Sequence, residues 1–161
     1  MIAGAVTVTA VIAGLTTWAL WPEPPRQREY LDATACLLTD EKGVTGEAQP
    51  VWTSMQEASV AALVRVQYLQ VQGPQTARNA TAFATSLAGG RCGVIFSVGA
   101  AQTEAATAVA PGYPTVRFVN VGEGNATPPA NVQVIPASAP DTLGAEIKQH
   151  IAALAEASAE G

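Results

Sequence analysis

The chain has 161 residues, of which 48% are hydrophobic and 13% are charged, and its formal net charge is -5. This length allows one domain of ordinary size, and the apolar fraction is sufficient for a packed core. Nucleic-acid binding requires clustered Lys and Arg side chains, and the sequence contains no basic cluster. The composition therefore predicts one domain and excludes nucleic acid as a partner.

An uncharged segment of the length needed to cross a bilayer, Ile2 to Trp21, opens the chain. Trp18 and Trp21 lie at its C-terminal end, where indole rings favour the headgroup boundary, and a Pro-rich stretch follows. We expect residues 1–21 to form a transmembrane anchor, residues 22–32 a tether and residues 33–161 the folded domain. A cleaved signal peptide is the alternative, but the segment lacks a small-x-small cleavage site.

The orientation of this anchor has two indicators that disagree. Arg26 and Arg28 follow the segment and no basic residue precedes it, which by the positive-inside rule places the domain in the cytoplasm. Cys36 lies in the first predicted strand and Cys92 at the start of the third, so a disulfide is geometrically feasible if these strands are neighbours. Such bonds persist outside the cytosol, whereas two buried free thiols are the alternative.

Strand-like and helix-like segments alternate after the tether. The predicted strands are short apolar or alternating runs, at Thr34–Thr39, Val64–Val71, Gly93–Ser97, Thr115–Val121 and Val132–Ile135. The predicted helices follow the apolar spacing and the Pro and Gly signals, and they start at Pro50, Pro74, just after Gly99 and near Asp141. One face of Val64–Val71 is polar and expected to be exposed to solvent, which favours an edge strand. The continuous apolar run Val94 to Phe96 favours a central strand.

This alternation predicts an α/β fold, a three-layer sandwich with a parallel, flavodoxin-like sheet of about five strands. In such sheets ligands bind beyond the carboxyl ends of the strands, where the strand order reverses. The candidate binding segments are therefore residues 39–46, 97–102 and 122–125.

Catalytic signatures are weak. His150 is the single histidine and is expected to pack or to lie on the surface, and one His with two Cys does not make a closed zinc site. Asp40-Glu41 resembles the acidic pair of a receiver domain, but Ser97 and Pro136 stand where that domain needs Asp and Lys. We expect no cofactor, no metal site and no enzymatic activity.

Three stretches resemble the first lobe of the basic membrane protein family, the nucleoside-binding receptors of certain ABC transporters. They are Ala35–Val44, Cys92–Gly99 and Tyr113–Val121. The resemblance implies the type 1 periplasmic binding protein fold, a nucleoside-like solute and an extracytoplasmic domain. It also favours a Cys36–Cys92 bond, since some members carry cysteines at these positions. The ligand-binding candidates that it implies are Asp40, Gly43, Ser97, Gly99, Ala100 and Gly122.

The departures from the family concern ligand binding. Gly46–Pro50 replaces the family's aspartate and stacking aromatic residue, Ala100 replaces a second aromatic residue, and Gly122 replaces a closing Asp. We also expect no second lobe. The first hypothesis is a module that has lost tight nucleoside binding and contacts a protein partner. The second is a receptor completed by dimerisation or by a partner, and the third is an enzyme on a flavodoxin-like scaffold.

Overall fold

A computed structural model of the protein describes residues 28–122, 127–137 and 140–160. These ranges contain the strands β1 (Thr34–Thr39), β2 (Arg65–Gln70), β3 (Cys92–Val98), β4 (Arg117–Val121) and β5 (Val132–Ile135). They also contain the helices α1 (Gln49–Ala62), α2 (Ala77–Ala88), α3 (Ala100–Val109) and α4 (Pro140–Ala159). The predicted anchor, most of the tether and residues 123–125 of the third candidate segment lie outside the described residues. Among the helices described, none is both long enough and apolar enough to span a bilayer.

The five strands form one parallel sheet in the order β2-β1-β3-β4-β5. This arrangement confirms the predicted α/β class and the parallel, flavodoxin-like sheet. The chain moves outward from β1 to β2, then crosses back to β3 and continues to the other edge. The direction of winding therefore reverses between β1 and β3, and the crevice where such folds bind ligands lies above this pair.

Helices cover the two faces of the sheet in pairs. Helix α1 packs against α4 on one face, and α2 packs against α3 on the other. Successive side chains of a strand point to opposite faces, so Leu37 and Phe96 belong to the core under α1 and α4, while Leu38 and Ile95 belong to the core under α2 and α3. The domain thus has the predicted three layers.

The central and edge strands are those that the sequence pattern predicts. Val94, Ile95 and Phe96 in β3 are at most 1% exposed. Strand β2 lies at an edge of the sheet, and its Tyr68 is 45% exposed. The Tyr68 ring meets the Trp52 ring of α1 edge to face, with centroids 5.3 Å apart.

Two predicted boundaries are too early, and local hydrogen bonds explain both. Helix α2 begins at Ala77 rather than near Pro74, because the Thr76 side chain caps it by accepting a hydrogen bond from the Asn79 backbone N–H at 3.3 Å. Strand β4 begins at Arg117 rather than Thr115. The Val116 N–H donates to the Tyr113 carbonyl at 3.0 Å, which closes a turn just before the strand.

Cys36 and Cys92 form a disulfide between the neighbouring strands β1 and β3, with their Cα atoms 5.8 Å apart. This confirms the pairing that the resemblance favours. Both residues are buried, at 0% and 4% exposure. The side-chain amide of Gln67 on β2 donates to the Cys36 sulfur at 3.2 Å. The bond therefore belongs to the packed core under α2 and α3.

Candidate functional site

Two adjoining hollows lie at the carboxyl ends of the strands. The larger has a volume of about 490 Å³ and the smaller about 170 Å³, and both are bordered by Glu47, Val98 and Gly99. We call them together the rim cleft. Its other lining residues are Asp40, Lys42, Thr45, Gly46, Ala48, Pro50, Ala100, Thr103, Val121, Gly122, Ala137 and Leu143. The cleft lies where the reversal of strand order predicts a binding site.

Gly99 connects β3 to α3 at the centre of the rim cleft. Its φ of +103° is accessible to glycine and strained for other residues. A Cβ at this position would lie 2.5 Å from Oε1 of Gln102. Gln102 is 2% exposed, and its Nε2 donates to Oε1 of Gln75 at 2.9 Å. Glycine here therefore lets the loop after β2 and the start of α3 come together below the cleft.

Ala100 and Gly122 border the larger hollow from two different strand ends. Ala100 is the exposed first residue of α3. Gly122 directly follows β4 with a φ of +114°, and its N–H donates to the Ile135 carbonyl at 2.9 Å. The structure thus brings both predicted positions to the cleft, where they contribute backbone and a methyl group in place of an aromatic ring and a carboxylate.

Asp40 and Gly43 belong to the same turn after β1, but they have different surroundings. Asp40 lines the smaller hollow, and its Oδ1 accepts a hydrogen bond from the Lys42 backbone N–H at 2.9 Å. Gly43 has a φ of +65°, is buried, and leaves no room for a Cβ beside the side-chain amide of Gln70. Gly43 therefore packs the turn onto β2 and is not among the residues that line the cleft.

Ser97 lies beneath the rim cleft rather than in it. It is 0% exposed, and its hydroxyl donates to Oδ1 of Asn120 at 2.6 Å. The Asn120 amide in turn donates to Oγ1 of Thr107 at 2.8 Å and to the carbonyl of Thr103 at 3.2 Å. These contacts join β3, β4 and α3, so Ser97 supports the cleft structurally.

Three charged side chains border the smaller hollow: Asp40 is a candidate from the sequence, Lys42 lies in the candidate segment 39–46, and Glu47 lies outside every candidate segment. Glu47 and Lys42 join Asp40 there. Glu47 lies in a short 3-10 turn, Gly46–Ala48, that leads into α1 and extends the cleft toward that helix. The signal for Glu47 was the Gly46–Pro50 stretch that departs from the family pattern, but the spacing of residues did not place it at the cleft. Two carboxylates and one ammonium group make this end acidic.

His150 is a packing residue on α4, which agrees with the expectation. It is 7% exposed, and its ring meets Phe96 edge to face with centroids 6.1 Å apart. Burial, and secondarily the positive charge of Arg117, lower the pKa of His150, while Glu146 acts in the opposite direction. The histidine does not line the rim cleft. Within the described ranges, no three His, Cys, Asp or Glu side chains converge as metal ligands do.

The rim cleft offers mainly backbone groups, small apolar side chains and the acidic end at Asp40 and Glu47. No aromatic ring is among its described lining residues. It can form hydrogen bonds to polar groups and contact small apolar surfaces. Among the described residues, its lining does not provide the stacking surface that holds a purine or pyrimidine ring.

Comparison with known proteins gives likenesses of fold. No protein-family model and no curated protein matches the chain. A candidate lipoprotein fragment from Peptoclostridium difficile 630 is similar over 75% of this chain and 97% of its own, with 16% identity and a TM-score of 0.64.

Two further solved structures match this chain over less than half of their own length. The solute-binding protein of an ABC transporter system from Aeropyrum pernix K1 is 19% identical, with a TM-score of 0.52 over 63% of this chain and 28% of its own. A LacI family transcriptional regulator from Bifidobacterium animalis subsp. lactis DSM 10140 is 11% identical, with a TM-score of 0.52 over 73% and 47%. Identities at this level show the fold alone. The chain therefore has an α/β fold similar to one lobe of a periplasmic binding protein.

Proposed function

We propose that this protein is a membrane-anchored, extracytoplasmic binding module related to the basic membrane protein family. In this proposal its rim cleft contacts a protein partner rather than holding a nucleoside tightly. The observation that carries the proposal is the composition of the cleft. It stands where the fold binds ligands, yet its described lining lacks an aromatic ring and has small residues at Ala100 and Gly122.

The family assignment is supported by two independent observations. The opening strand with its Asp40 turn, the third strand ending in Val98-Gly99 and the Tyr113-Pro114 strand entry resemble the family in order and spacing. The solute-binding protein from Aeropyrum pernix K1 shares the fold over 63% of this chain. The Asp40 turn and Val98-Gly99 also fall at the strand ends that build the rim cleft.

The free energy available to a nucleoside in this cleft is small. Micromolar binding requires about -8 kcal/mol in total, and base stacking on an aromatic ring adds about 0.5–1.5 kcal/mol beyond the buried area. The described lining of the cleft offers no such ring, and the closing carboxylate of the family is replaced by Gly122. We therefore expect millimolar or weaker binding of nucleosides by the single lobe.

The extracytoplasmic location is supported by the disulfide between Cys36 and Cys92. Disulfides persist in oxidising compartments and are rare in the cytosol. Arg26 and Arg28 favour the opposite orientation, but two charges beside one span are a weaker constraint than a formed covalent bond. A membrane anchor at residues 2–21 with an outward domain satisfies the disulfide.

A binding role is favoured over a catalytic one by the side chains at the cleft. Among the described lining residues, the groups able to accept or donate protons are Asp40, Glu47, Lys42 and two Thr hydroxyls. The Thr45 hydroxyl donates to the Lys42 carbonyl, and that of Thr103 to the Ala100 carbonyl, so neither is paired with a base. Nucleophilic catalysis requires such a pair.

A second candidate function is a receptor completed by a second copy or a partner. The larger hollow of about 490 Å³ falls within the usual size range of small-molecule sites, roughly 300–1,000 Å³. A partner that closed the open side could exclude water and supply the missing ring. This candidate differs from the first in requiring ligand-dependent association.

Isothermal calorimetry of the detergent-solubilised protein with adenosine, guanosine and inosine tests both candidates. We expect no binding tighter than millimolar and no change of oligomeric state with ligand. Micromolar binding by a monomer would overturn the proposal, and micromolar binding with dimerisation would establish the second candidate.

Crosslinking in native membranes tests the protein partner. The variant E47Q should weaken capture of that partner, while E104Q makes the same charge change on α3 outside the cleft and should not. Equal capture by both variants would argue against contact through the rim cleft.

A further inference from the structure

The edge of the sheet opposite the rim cleft is where the strands begin and where the chain enters the domain. The Arg28 guanidinium donates to the Val60 carbonyl near the end of α1 at 3.2 Å. The Leu31 N–H donates to the Leu63 carbonyl at 2.8 Å, which fixes the entering chain beside the start of β2. We call the surface formed by Arg28, Tyr30, Val60, Arg65 and Arg91 the tether edge.

A hollow of about 560 Å³ opens on the tether edge, bordered by Arg65 and Arg91 together with Tyr30, Ser59 and Gln67. Both guanidinium groups reach the same carboxylate oxygen of Asp32, at 3.5 and 3.6 Å. The three side chains are 50%, 84% and 75% exposed, so two positive charges face solvent around one negative charge. Arginine guanidinium groups, here beside the hydroxyl groups of Tyr30 and Ser59, are well suited to bind phosphate oxygens.

Exposed apolar side chains concentrate at the same edge. Within the described ranges, the large hydrophobic residues that are strongly exposed are Tyr30 at 40%, Val60 at 50% and Tyr68 at 45%. Two of these three belong to the tether edge. An amphipathic tyrosine and an aliphatic residue beside arginines match the composition of protein surfaces that rest on the headgroup region of a bilayer.

The length of the tether brings this edge close to the membrane. Residues 22–27 separate Trp21, the last residue of the uncharged segment, from Arg28. A fully extended chain from Trp21 to Arg28 spans at most about 25 Å. The rim cleft lies one strand length farther away, because parallel strands begin at one edge and end at the other.

We propose that the tether edge docks on an anionic bilayer surface, with Arg65 and Arg91 binding lipid phosphate groups and the rim cleft directed away from the membrane. This inference rests on the membrane anchoring in the proposed function. It adds an orientation that presents the rim cleft to partners in the surrounding space.

The test uses the full-length protein in phosphatidylglycerol vesicles that contain a lipid with a nitroxide on its headgroup. A fluorophore is attached to a cysteine introduced by V60C at the tether edge or by E41C in the turn after β1, at the end of the domain that carries the rim cleft. The native cysteines are bonded and do not react with the label. We expect strong quenching of the label at position 60 and weak quenching at position 41.

The charge variants identify the cause of docking. At about 1 kcal/mol for each arginine near an anionic surface, R65Q/R91Q lowers the docking constant by roughly thirtyfold and abolishes the difference between the two label positions. The matched variant K42Q/R78Q removes the same charge elsewhere and retains the difference. Phosphatidylcholine vesicles should reproduce the effect of R65Q/R91Q.

Vesicle flotation separates the two ways in which the inference can fail. If the labelled protein floats with the vesicles but both positions are quenched equally, or R65Q/R91Q has no effect, docking by the tether edge is wrong while anchoring stands. If the protein does not float with the vesicles, the membrane anchoring is wrong and the orientation falls with it.

Discussion

Cys92 faces the same side of the sheet as Cys36 because one residue, Gly93, is passed over in the pairing of β1 with β3. Thr34 lies opposite Cys92, whereas Ala35 lies opposite Val94. In a regular strand Cys92 would face away from Ile95, which lies opposite Cys36. The extra residue reverses this alternation, and all three side chains enter the core under α2 and α3.

We expect the variant C36A/C92A to be less stable than the parent by about 4 kcal/mol, because the bond closes a loop with a sequence separation of 56. Urea unfolding of both proteins measures the difference. In protein from its native compartment, an alkylating reagent should modify neither cysteine before reduction. Alkylation of both thiols without a reductant would contradict the disulfide and restore the cytoplasmic orientation.

The irregular pairing at Gly93 makes a second prediction. A Cβ at this position would overlap the end of the Leu154 side chain, so we expect G93A to lower the free energy of unfolding by about 1–3 kcal/mol. The double variant G93A/L154A should recover part of that loss. The control is G112A, because a Cβ at Gly112 would meet nothing within 4 Å. Equal stabilities of G93A and G112A would contradict this account.

Most of the fold could be predicted because strand and helix periods are local properties of the sequence. The apolar run Val94 to Phe96 indicated a central strand, and the polar face of Val64–Val71 indicated an edge strand. The irregularity at Gly93 depends on pairing between strands that are distant in sequence, so only the glycine itself hinted at it. The predicted starts at Pro74 and Thr115 were too early because the Thr76 cap sets the start of α2 and a turn at Tyr113 precedes β4.

The candidate site could be predicted only in part. Asp40, Gly99, Ala100 and Gly122 reach the rim cleft because the ends of parallel strands meet at one edge. Ser97 does not reach it. Ser97 lies two residues after Ile95 in the same strand, so both side chains point to the face under α2 and α3, and this spacing was visible in the sequence. Glu47 depends on how the 3-10 turn leads into α1, which no local pattern fixed.

The buried contact between Ser97 and Asn120 makes a third prediction. We expect S97A to cost about 1–3 kcal/mol of stability, because Oδ1 of Asn120 loses its donor in the protein interior. N120A should cost more, since it also removes the contacts with Thr103 and Thr107. The exposed Ser158 provides a control, and S158A should change stability by less than about 0.5 kcal/mol. Additive effects of S97A and N120A would argue against a direct bond.

The N-terminal segment makes a fourth prediction. Because residues 2–21 carry no charge and have the length of a bilayer span, the full-length protein should stay in the membrane pellet after a carbonate wash. Deletion of residues 1–25 should release a soluble domain with the circular dichroism of an α/β fold. Soluble full-length protein with an intact N-terminus would refute the anchor, whereas aggregation of the shortened protein would refute the independent domain.

The last prediction concerns His150, whose pKa is lowered in the folded domain from its ordinary value of 6.5. Above that value the histidine is neutral in both states and contributes no pH dependence. As the pH falls through it, the unfolded chain binds a proton that the folded domain resists, so the free energy of unfolding decreases. The decrease levels off below the folded pKa, where both states are protonated.

Charge variants near His150 should change this decrease in opposite directions. Arg117 lowers the histidine pKa, so R117Q should raise it toward 6.5 and reduce the loss of stability at acidic pH. Glu146 raises that pKa, so E146Q should lower it further and increase the loss. H150F keeps an aromatic ring against Phe96 and should remove the contribution altogether. Urea unfolding of each variant from about pH 8 to about pH 5 measures these differences, and identical slopes for R117Q and E146Q would show that His150 is not the group responsible.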